Sequence, residues 1–448
     1  MKEADIIISG GIILPMDEKG SVIEGGAIVI SGQDIVAIGQ KEVVDDQYIS
    51  SEVIDARNHL IMPGLINGHT HAAMTYFRGL ADDLELTDWL NNYIFPAEAK
   101  FVDKEFAYLG SMLACAEMIR SGTTTFCDMY IFEDEVARAA KEAGLRCLVG
   151  EVLFDFPSPN VKTPDEGFSY TRMLLEKWAG DSLVNIVVEP HSLYTCSYDL
   201  LKKAKALARE YNAPIGTHFL ETATEREQIT GIYGKSPDMV LKEVGFLDED
   251  FIAFHGVWLT KEDIALFADN GCKVVHNPES NMKLASGVAP IPDMLEKGIT
   301  VGLGTDGCAS NNNLDMFQEM DMAAKLHKVH RLDPTVMDAQ TVTRMATCEG
   351  AKAIGMGKKV GVLKVGMRAD IITIDLNKPH LTPMYNAYSH LVYAAGGSDV
   401  DTVVINGKVV MKDQRLLTIN ENDIMERTGD IARAIKQSFG KRNAESEK

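Results

Sequence analysis

The sequence of 448 residues predicts an α/β protein, in which a (β/α)8 TIM barrel is joined to a small β-sandwich built from both ends of the chain. Three observations carry this prediction. Short apolar runs alternate with helical patterns through the middle of the chain, β-branched residues dominate near both ends, and polar side chains follow many of the apolar runs.

The β-rich end segments come first and last in the chain. Residues 4–56 contain short runs of β-branched residues punctuated by Gly, Asp and Asn, and the same pattern returns in MRADIITIDL and DTVVINGKVV. The stretches ISGQDIV and INGKVV contain the Gly turns that are typical of hairpins. We therefore expect residues 1–62 and 365–420 to share one β-sandwich, followed by a polar helix and a charged tail over 421–448.

The barrel is predicted over residues 63–364. Gly or Asn ends several of its helical patterns, as a left-handed C-cap would. An open doubly wound sheet is the alternative, but no G-x-G-x-x-G follows the first strand, and the polar residues follow many strands instead of one crevice. The eight apolar runs are, in order, HLIMPGLINGHTH, GTTTFCDM, LRCLVGEVLF, LVNIVVEPH, APIGTHF, FIAFHG, CKVVHNP and ITVGLGTD.

Composition and charge exclude several classes of protein. The chain has 44 basic and 65 acidic residues and a net charge of −21, which disfavours nucleic acid and anionic membranes as partners. Its seven cysteines include no C-x-x-C, so we expect small buried thiols and no disulfide framework. The N-terminus lacks the features of a secretory signal, and no apolar run reaches membrane-spanning length. These observations predict a soluble, cytoplasmic protein.

Histidines gather where the predicted barrel strands end. His69 and His71 are two residues apart at the end of the first strand, so their side chains point the same way. The carboxyl ends of barrel strands are where active sites are built, so these positions predict a functional site. Strands four to eight end, in order, in His191, His218, His255, His276 and Asp306.

Several stretches resemble the amidohydrolase superfamily, and more narrowly its methylthioadenosine/S-adenosylhomocysteine deaminase branch. The resemblance extends through the barrel and into both flanking β segments. It implies a hydrolase that deaminates an adenine nucleoside, namely 5-methylthioadenosine, S-adenosylhomocysteine, 5′-deoxyadenosine or adenosine, to the inosine analogue and ammonia. The stretches are PGLINGHTHAAMTYFRGLADDLELTDWL, GTHFLETATE, FHGVWL, HNPESNMKLASGVAPI and GLGTDGCASNNNLDMF.

The resemblance implies one divalent metal, usually zinc with Fe2+ as the alternative, on His69, His71, His218 and Asp306. Imidazole and carboxylate groups suit both metals. Many amidohydrolases instead bridge two metals with a carbamylated lysine on strand four. The fourth run, LVNIVVEPHSLY, has no lysine, so we expect a single metal.

The resemblance also implies catalytic roles. Glu221, three residues after His218, is implied to be the general acid/base, although an acid at this place could also simply open a helix. His255 and Asp306 are implied to orient the attacking hydroxide, and Glu221 and Asp306 to contact the substrate as well. A metal would lower the pKa of the attacking water toward neutrality.

Further residues are implied to contact the substrate. Glu98 matches the position that contacts the ribose hydroxyls, and His191 matches a histidine that touches the substrate. Trp89 is expected to wall the purine pocket, with packing at the barrel rim as the alternative. His276 and Asn277 are expected to line the site. The expected partners are a small nucleoside substrate and further copies of this chain in a homo-oligomer.

The segment after strand three departs from the family pattern. Family members that act on S-adenosylhomocysteine are expected to bring arginines from this segment to the amino-acid tail. Here the segment is FDFPSPNVKTPDEGFSYTR, which has Lys162 and no arginine before Arg172. The choice among the four nucleosides therefore stays open, and we expect a rigid FPSPN loop to influence it.

Three other functions are alternatives. An amidohydrolase acting on another aminated or chlorinated heterocycle, such as a guanine, pterin or triazine, would share the metal ligands. A scaffold that had lost its chemistry would be expected to lack ligands, and all four are present. A zinc deaminase of the cytidine type needs P-C-x-x-C, which the sequence does not contain.

Overall fold

The structure is a computed structural model that describes residues 1–446, with side chains in all of these except 86–87 and 439–446. The last two residues of the predicted tail, 447 and 448, lie outside the described residues. The strands are β1 Lys2–Ile13, β2 Ile23–Ser31, β3 Asp34–Gln40, β4 Tyr48–Asp55, β5 His59–Pro63, β6 Leu65–Thr70, β7 Thr123–Tyr130, β8 Arg146–Leu153, β9 Val184–Ile186, β10 Glu189–Pro190, β11 Ile215–Phe219, β12 Phe251–His255, β13 Lys273–His276, β14 Val301–Leu303, β15 Ile371–Asp375, β16 Val400–Ile405, β17 Lys408–Lys412 and β18 Arg415–Leu416.

Helices connect most of the barrel strands. Short 3-10 turns lie at Ala72–Phe77, Pro379–Leu381 and Gly397–Asp399, and a π-helical turn at Leu90–Ile94. The α-helices are α1 Lys41–Asp45, α2 Leu86–Trp89, α3 Phe95–Phe101, α4 Lys104–Arg120, α5 Glu133–Ala143, α6 Pro164–Lys177, α7 Tyr198–Tyr211, α8 Glu225–Tyr233, α9 Pro237–Val244, α10 Lys261–Asn270, α11 Pro278–Lys283, α12 Ile291–Glu296, α13 Met316–Arg331, α14 Ala339–Met345, α15 Cys348–Ala353, α16 Ala387–Tyr393 and α17 Glu421–Ser446.

The two ends of the chain form one sheet. Its strand order is β18-β17-β16-β15-β5-β1-β2-β3, with β4 paired to β1, and antiparallel pairing of β15 with β5 joins the C-terminal strands to the N-terminal ones. The predicted hairpins are confirmed as β2–β3 and β16–β17. Ile8, Ile30, Ile54, Ile371 and Val404 belong to one buried cluster, so the sheet folds over a core of its own and the predicted sandwich is confirmed.

The first predicted barrel strand is two strands in the structure. The run HLIMPGLINGHTH divides at Gly64 into β5, which belongs to the end sheet, and β6, which belongs to the barrel. A Cβ at residue 64 would lie 2.0 Å from Thr124 Cγ2, so only glycine fits where the chain passes between the sheets. The apolar run does not itself show that it forms two strands, because both strands are buried and apolar residues continue through it.

The middle of the chain closes into the predicted barrel. Strands β6, β7, β8 and the broken β9/β10 pair in parallel, as do β11 to β14. Bridges Val188–Ile215 and Ser192–His218 join the two groups on one side. On the other side the backbone N–H of Asp306 donates to the carbonyl of His69 at 2.9 Å. The carboxyl ends of the strands therefore meet around one mouth.

A buried ion pair links the barrel to the end sheet. Arg146, at the start of β8, donates to both carboxylate oxygens of Asp370, at 2.8 and 2.9 Å, just before β15. Arg146 also donates to Asn406 Oδ1 and to the carbonyl of Ser182. The guanidinium is buried and fully engaged, so the pair holds one end of the barrel against the sandwich.

Two predictions about the chain as a whole can be compared with the structure. All seven cysteines are buried, free thiols, as expected for small core residues. Among the helices of residues 1–446, none combines the length and the apolar character needed to cross a bilayer.

Candidate active site

The histidines of the first barrel strand lie in the mouth of the barrel. His69 is fully buried, and its ring stacks on Phe254 with centroids 4.1 Å apart. His71 Nδ1 donates to the carbonyl of Met129, which leaves Nε2 facing the cavity. His71 Nε2 lies 3.1 Å and His69 Nε2 lies 3.6 Å from Asp306 Oδ1.

His218, at the end of β11, joins these residues from across the barrel. Its ring centroid lies 4.9 Å from that of His69 and 5.4 Å from that of His71. Its Nδ1–H donates to the backbone carbonyl of His191 at 2.8 Å, so Nε2 also faces the cavity. Burial lowers the pKa of both His69 and His218 well below its usual range, which keeps their imidazoles neutral and able to accept a metal.

Asp306 follows the last barrel strand with a strained backbone. Its φ is +61°, an unusual value for a residue other than glycine or asparagine. Ser280 and Ser310 donate to Oδ2 at 2.7 and 2.9 Å, and the backbone N–H of Gly307 donates to Oδ1 at 2.9 Å. Burial acts to raise the pKa of Asp306, but the hydrogen bond and charge of His71 outweigh burial and hold it well below its usual range.

These residues fit a metal ion. Neither ring nitrogen of His69 has a hydrogen-bond partner, although the side chain is buried, and such an unpaired group is costly unless it ligates something. The ligand atoms of His69, His71 and Asp306 lie within 4.8 Å of one another, as do those of His69, His218 and His255. Backbone carbonyls orient the rings of His71 and His218, as is usual behind metal ligands.

His255 ends β12 beside the ligand group. Its φ of +73° again lies in the left-handed region. Its Nδ1–H donates to Asn281 Oδ1 at 2.9 Å, and Asn277 Nδ2 lies 3.3 Å from the same nitrogen. Its Nε2 faces Glu221, 3.9 Å from Oε2. The ring is therefore oriented from behind and presents one nitrogen to the cavity.

Glu221 is buried at the edge of the ligand group. Burial raises the pKa of its carboxyl, with Asp306 acting in the same direction and His255 and His71 opposing. Glu225 holds the backbone here, because its carboxylate accepts the N–H groups of Leu220 and Glu221, both at 2.8 Å. A carboxyl with a raised pKa beside the ligand group is suited to give and take a proton.

One cavity of about 320 Å³ brings the predicted catalytic and substrate residues together. Its inner end is lined by His71, His218, Glu221, His255 and Asp306, and its walls include Trp89, Glu98 and His191. Its remaining walls are largely apolar, as is usual for small-molecule sites. Trp89 is buried and lines this cavity.

Glu98 and His191, two polar residues in the walls of the cavity, differ in charge. Burial raises the pKa of Glu98 to about 7, opposed by the Tyr130 hydroxyl and by His71. Burial lowers the pKa of His191 to about 3, so this imidazole is neutral at physiological pH. His191 Nδ1 lies 2.9 Å from Thr195 Oγ1, and its ring lies 4.9 Å from that of Phe154. His191 therefore offers a neutral hydrogen-bonding edge to a ligand.

The remaining predicted residues are placed differently. His276 is buried with its Nε2 3.1 Å from Nε2 of His327 on α13, and it is not among the residues that line the cavity. Asn277 acts behind His255 and does not line the cavity itself.

Lys162 and Arg172, the two cations that follow the third predicted strand, are not among the residues that line the cavity. Lys162 donates to the carbonyls of Ser158 and Pro159, and Arg172 pairs with Glu210.

The residues that orient the predicted site residues through hydrogen bonds were not predicted from the sequence. Asp128 on β7 accepts from Thr70 and from the backbone N–H of Ala72, which flank His71. Ser280 and Asn281 lie three and four residues after Asn277, a spacing that places all three near one face of a helix beginning at Pro278. That spacing was visible in HNPESN. Nothing local marked Asp128, since its partners lie 56 and 58 residues away.

The chain is similar to several known proteins. The family model described as Amidohydrolase family matches residues 60–410. A protein of Syntrophus aciditrophicus (strain SB) named 5-methylthioadenosine/S-adenosylhomocysteine deaminase 1 is 61% identical over 98% of this chain and 99% of its own length. A protein of Methanosarcina barkeri named 5′-deoxyadenosine deaminase is 45% identical over 98% of this chain and 100% of its own length.

Among solved structures, an adenosine deaminase from Xanthomonas campestris with bound zinc is 36% identical and superposes with a TM-score of 0.96, covering 97% of this chain and 99% of that one. The resemblance inferred from the sequence is confirmed by these relatives. Because the family model spans more than half of the chain and the alignments run nearly end to end, this chain belongs to the amidohydrolase family.

Proposed function

We propose that this protein is a metal-dependent hydrolytic deaminase of adenine nucleosides, which converts them with water to the inosine analogue and ammonia. The observation that carries the proposal is a single cavity with a metal-ligand group and the Glu221–His255 pair at one end and Glu98 in its wall. Relatives named as deaminases of such nucleosides, over nearly the full length, support it.

His69, His71, His218 and Asp306 would hold one divalent metal, with Zn2+ preferred over Fe2+. A metal bound there would supply Lewis-acid polarisation and lower the pKa of water. The unpartnered nitrogens of His69 support a ligand role, and the zinc in the Xanthomonas campestris structure supports the choice of metal. His255 lies close enough to join the group but is turned toward Glu221, which supports a separate role.

The chain's own residues account for the movement of protons. His255 and Asp306 would orient a water molecule toward C6 of the purine, and Glu221 would carry a proton from that water to the ring nitrogen next to C6. A C–O bond forms at C6 in this step. Glu221 would then move the proton of the new hydroxyl group to the amino group, so that the C–N bond breaks, ammonia leaves and the C6 carbonyl forms. The burial that raises the pKa of Glu221 supports both directions of transfer.

The walls of the cavity would orient the nucleoside. Glu98 would accept hydrogen bonds from the two ribose hydroxyls, and Trp89 would cover one side of the purine. His191, neutral and next to Phe154, would contact the nucleoside from the opposite wall. The net charge of −21 and the buried thiols support action on an uncharged small molecule in a reducing cytoplasm.

A panel of substrates tests the proposal. The purified, zinc-loaded protein is incubated with adenosine, 5-methylthioadenosine, 5′-deoxyadenosine and S-adenosylhomocysteine, and ammonia release is measured with the absorbance change from adenosine to inosine. We expect equal amounts of ammonia and inosine analogue from at least one nucleoside. Guanine, a pterin and a triazine are assayed in parallel, and turnover of one of these without any nucleoside would overturn the proposal.

A further inference from the structure

A second, outer cavity of about 840 Å³ adjoins the cavity described above. The two cavities share lining residues, among them Leu90, Phe95, Phe156, Tyr194 and Leu284. Phe156 is 41% exposed and its ring stacks on Phe154 at 4.5 Å, so it stands at the boundary between the two. A ligand too large for the inner cavity would extend past Phe156 into the outer one.

The position of Glu98 indicates which part of a nucleoside would face the outer cavity. Glu98 and Phe95 are three residues apart on α3, a spacing that places both on one side of the helix. Glu98 lines only the inner cavity, whereas Phe95 lines both. With the purine at Glu221 and the ribose hydroxyls at Glu98, the 5′ carbon is the part of the nucleoside from which a substituent can continue toward Phe95 and beyond.

The outer cavity has hydrogen-bonding groups, but none of the described residues that line it carries a positive charge. Among the described residues that line the outer cavity, Glu85 is the one charged side chain, because His191 is neutral. Trp258 and Phe156 add aromatic faces. The uncharged polar lining residues are Asn91, Thr195, Thr222, Thr224, Gln228 and Ser286.

Arg226 and Lys283, which are close in sequence to lining residues, are both engaged with other partners. Arg226 donates to Asp263 and to the carbonyl of Trp258. Lys283 donates to Asp82 and Asn312. A carboxylate that entered the outer cavity would lose hydration without gaining a positive partner, and it would meet the negative charge of Glu85. An ammonium or an uncharged group would meet the acid, the hydroxyls and the aromatic faces instead.

We infer that the outer cavity is the subsite for the 5′ substituent, and that it selects uncharged or cationic substituents against those that end in a carboxylate. This inference rests on the proposed function. Glu85 and Phe156 are its specificity-determining residues, the first through its charge and the second through its place at the boundary.

A pair of substrates of equal length and opposite charge tests the inference. The zinc-loaded protein is assayed with 5′-(3-aminopropylthio)-5′-deoxyadenosine and 5′-(3-carboxypropylthio)-5′-deoxyadenosine, with 5-methylthioadenosine as the neutral reference. We expect kcat/KM for the amine to exceed that for the carboxylate by about tenfold, and this ratio to fall as salt screens the charges. Equal values, or a preference for the carboxylate, would overturn the inference. If no adenosine analogue reacts, the proposed function fails instead.

Glu85→Gln isolates the contribution of charge. Removing the acid should lower the amine-to-carboxylate ratio about threefold to fivefold, the size expected of one exposed charge interaction. Glu24→Gln, which makes the same change on an exposed residue of β2, is the matched control and should leave the ratio unchanged. Equal ratios in the wild type and in Glu85→Gln would contradict the role of Glu85.

Phe156→Lys tests the subsite by adding a cation, and Phe156→Met is its uncharged control. Both replace the ring with an unbranched side chain, and only lysine carries a charge. We expect the carboxylate-to-amine ratio of kcat/KM to be about tenfold higher in Phe156→Lys than in Phe156→Met. Identical ratios in the two variants, with 5-methylthioadenosine still deaminated, would show that the substituent does not enter the outer cavity.

Discussion

The Nδ1–H of His218 donates a hydrogen bond to the backbone carbonyl of His191, at 2.8 Å. This contact joins a proposed metal ligand on β11 to a proposed substrate residue that follows β10. It fixes the tautomer of His218 with Nε2 toward the cavity, and it fixes the backbone from which the His191 ring projects. The proposed metal ligand and the proposed substrate residue therefore share one hydrogen bond.

His218→Ala should remove the metal and the activity together. The variant loses one of four proposed ligands, and three ligands that include the unpartnered His69 hold zinc less tightly. Elemental analysis of the wild type should find one equivalent per chain, and analysis of the variant should find little. Two equivalents in the wild type, both required for activity, would contradict a mononuclear site.

Asp128→Ala should weaken metal binding about 10–100-fold, the usual effect of losing a group behind a ligand. The carboxylate accepts from Thr70 and from the backbone N–H of Ala72 at 2.6 Å, and so holds the turn that carries His71. Asp128→Asn should lose less, because an amide oxygen can still accept the Ala72 N–H. Competition with a chelator gives the affinities, and an Asp128→Ala protein with wild-type affinity would refute the positioning role.

Glu221→Gln should keep the metal but lose about 10²–10⁴-fold in kcat, because the amide cannot carry a proton. The change preserves size, and the backbone hydrogen bonds of this turn go to Glu225, not to Glu221. Metal content measured beside the rate separates the two effects. A near-normal rate in metal-loaded Glu221→Gln would show that another group moves the proton.

KM for adenosine should rise as the pH falls from 8 to 6. Burial raises the pKa of Glu98 to about 7, so the carboxylate that is proposed to accept both ribose hydroxyls is present above that pH and becomes protonated below it. 2′,3′-Dideoxyadenosine lacks these hydroxyls, and its KM should not share the trend. Glu98→Gln should flatten the profile for adenosine, and an unchanged profile in that variant would assign the titration to a different group.

Asp370→Ala should destabilise the protein by about 3–5 kcal/mol, because it leaves the buried guanidinium of Arg146 without its partner. Asp34→Ala, which breaks the exposed pair with Arg368, is the control and should cost about 0–1 kcal/mol. Denaturant midpoints and slopes measure both changes. If the two variants lost equal stability, the Arg146–Asp370 pair would not be the anchor between barrel and sandwich.

Much of the fold could be predicted because its signals are local. Alternation of apolar runs with helical patterns is visible within about 30 residues, and so are hairpin turns such as Asn406–Gly407. The predicted boundary between residues 62 and 63 falls within the first apolar run, but the run was expected to form a single strand. Its division into two strands at Gly64 was not predicted, because a strand buried on both faces has the same composition in either sheet. What decides the division is the close approach of Thr124, from a strand 60 residues further along the chain.

The sequence by itself determined which side chains end the barrel strands, and with the family resemblance it indicated the ligands and the acid/base residue. Only the tertiary structure decided which ring nitrogens face the cavity, that His276 pairs with His327, and that no cationic side chain is among the described residues lining the outer cavity. The physical reason is that these properties depend on contacts made when the barrel closes, such as the 2.7 Å hydrogen bond from Asn67 to Thr305 across 238 residues. Spacing along a strand sets the direction of a side chain, but its neighbours, and hence its pKa and its partners, come from elements far away in the chain.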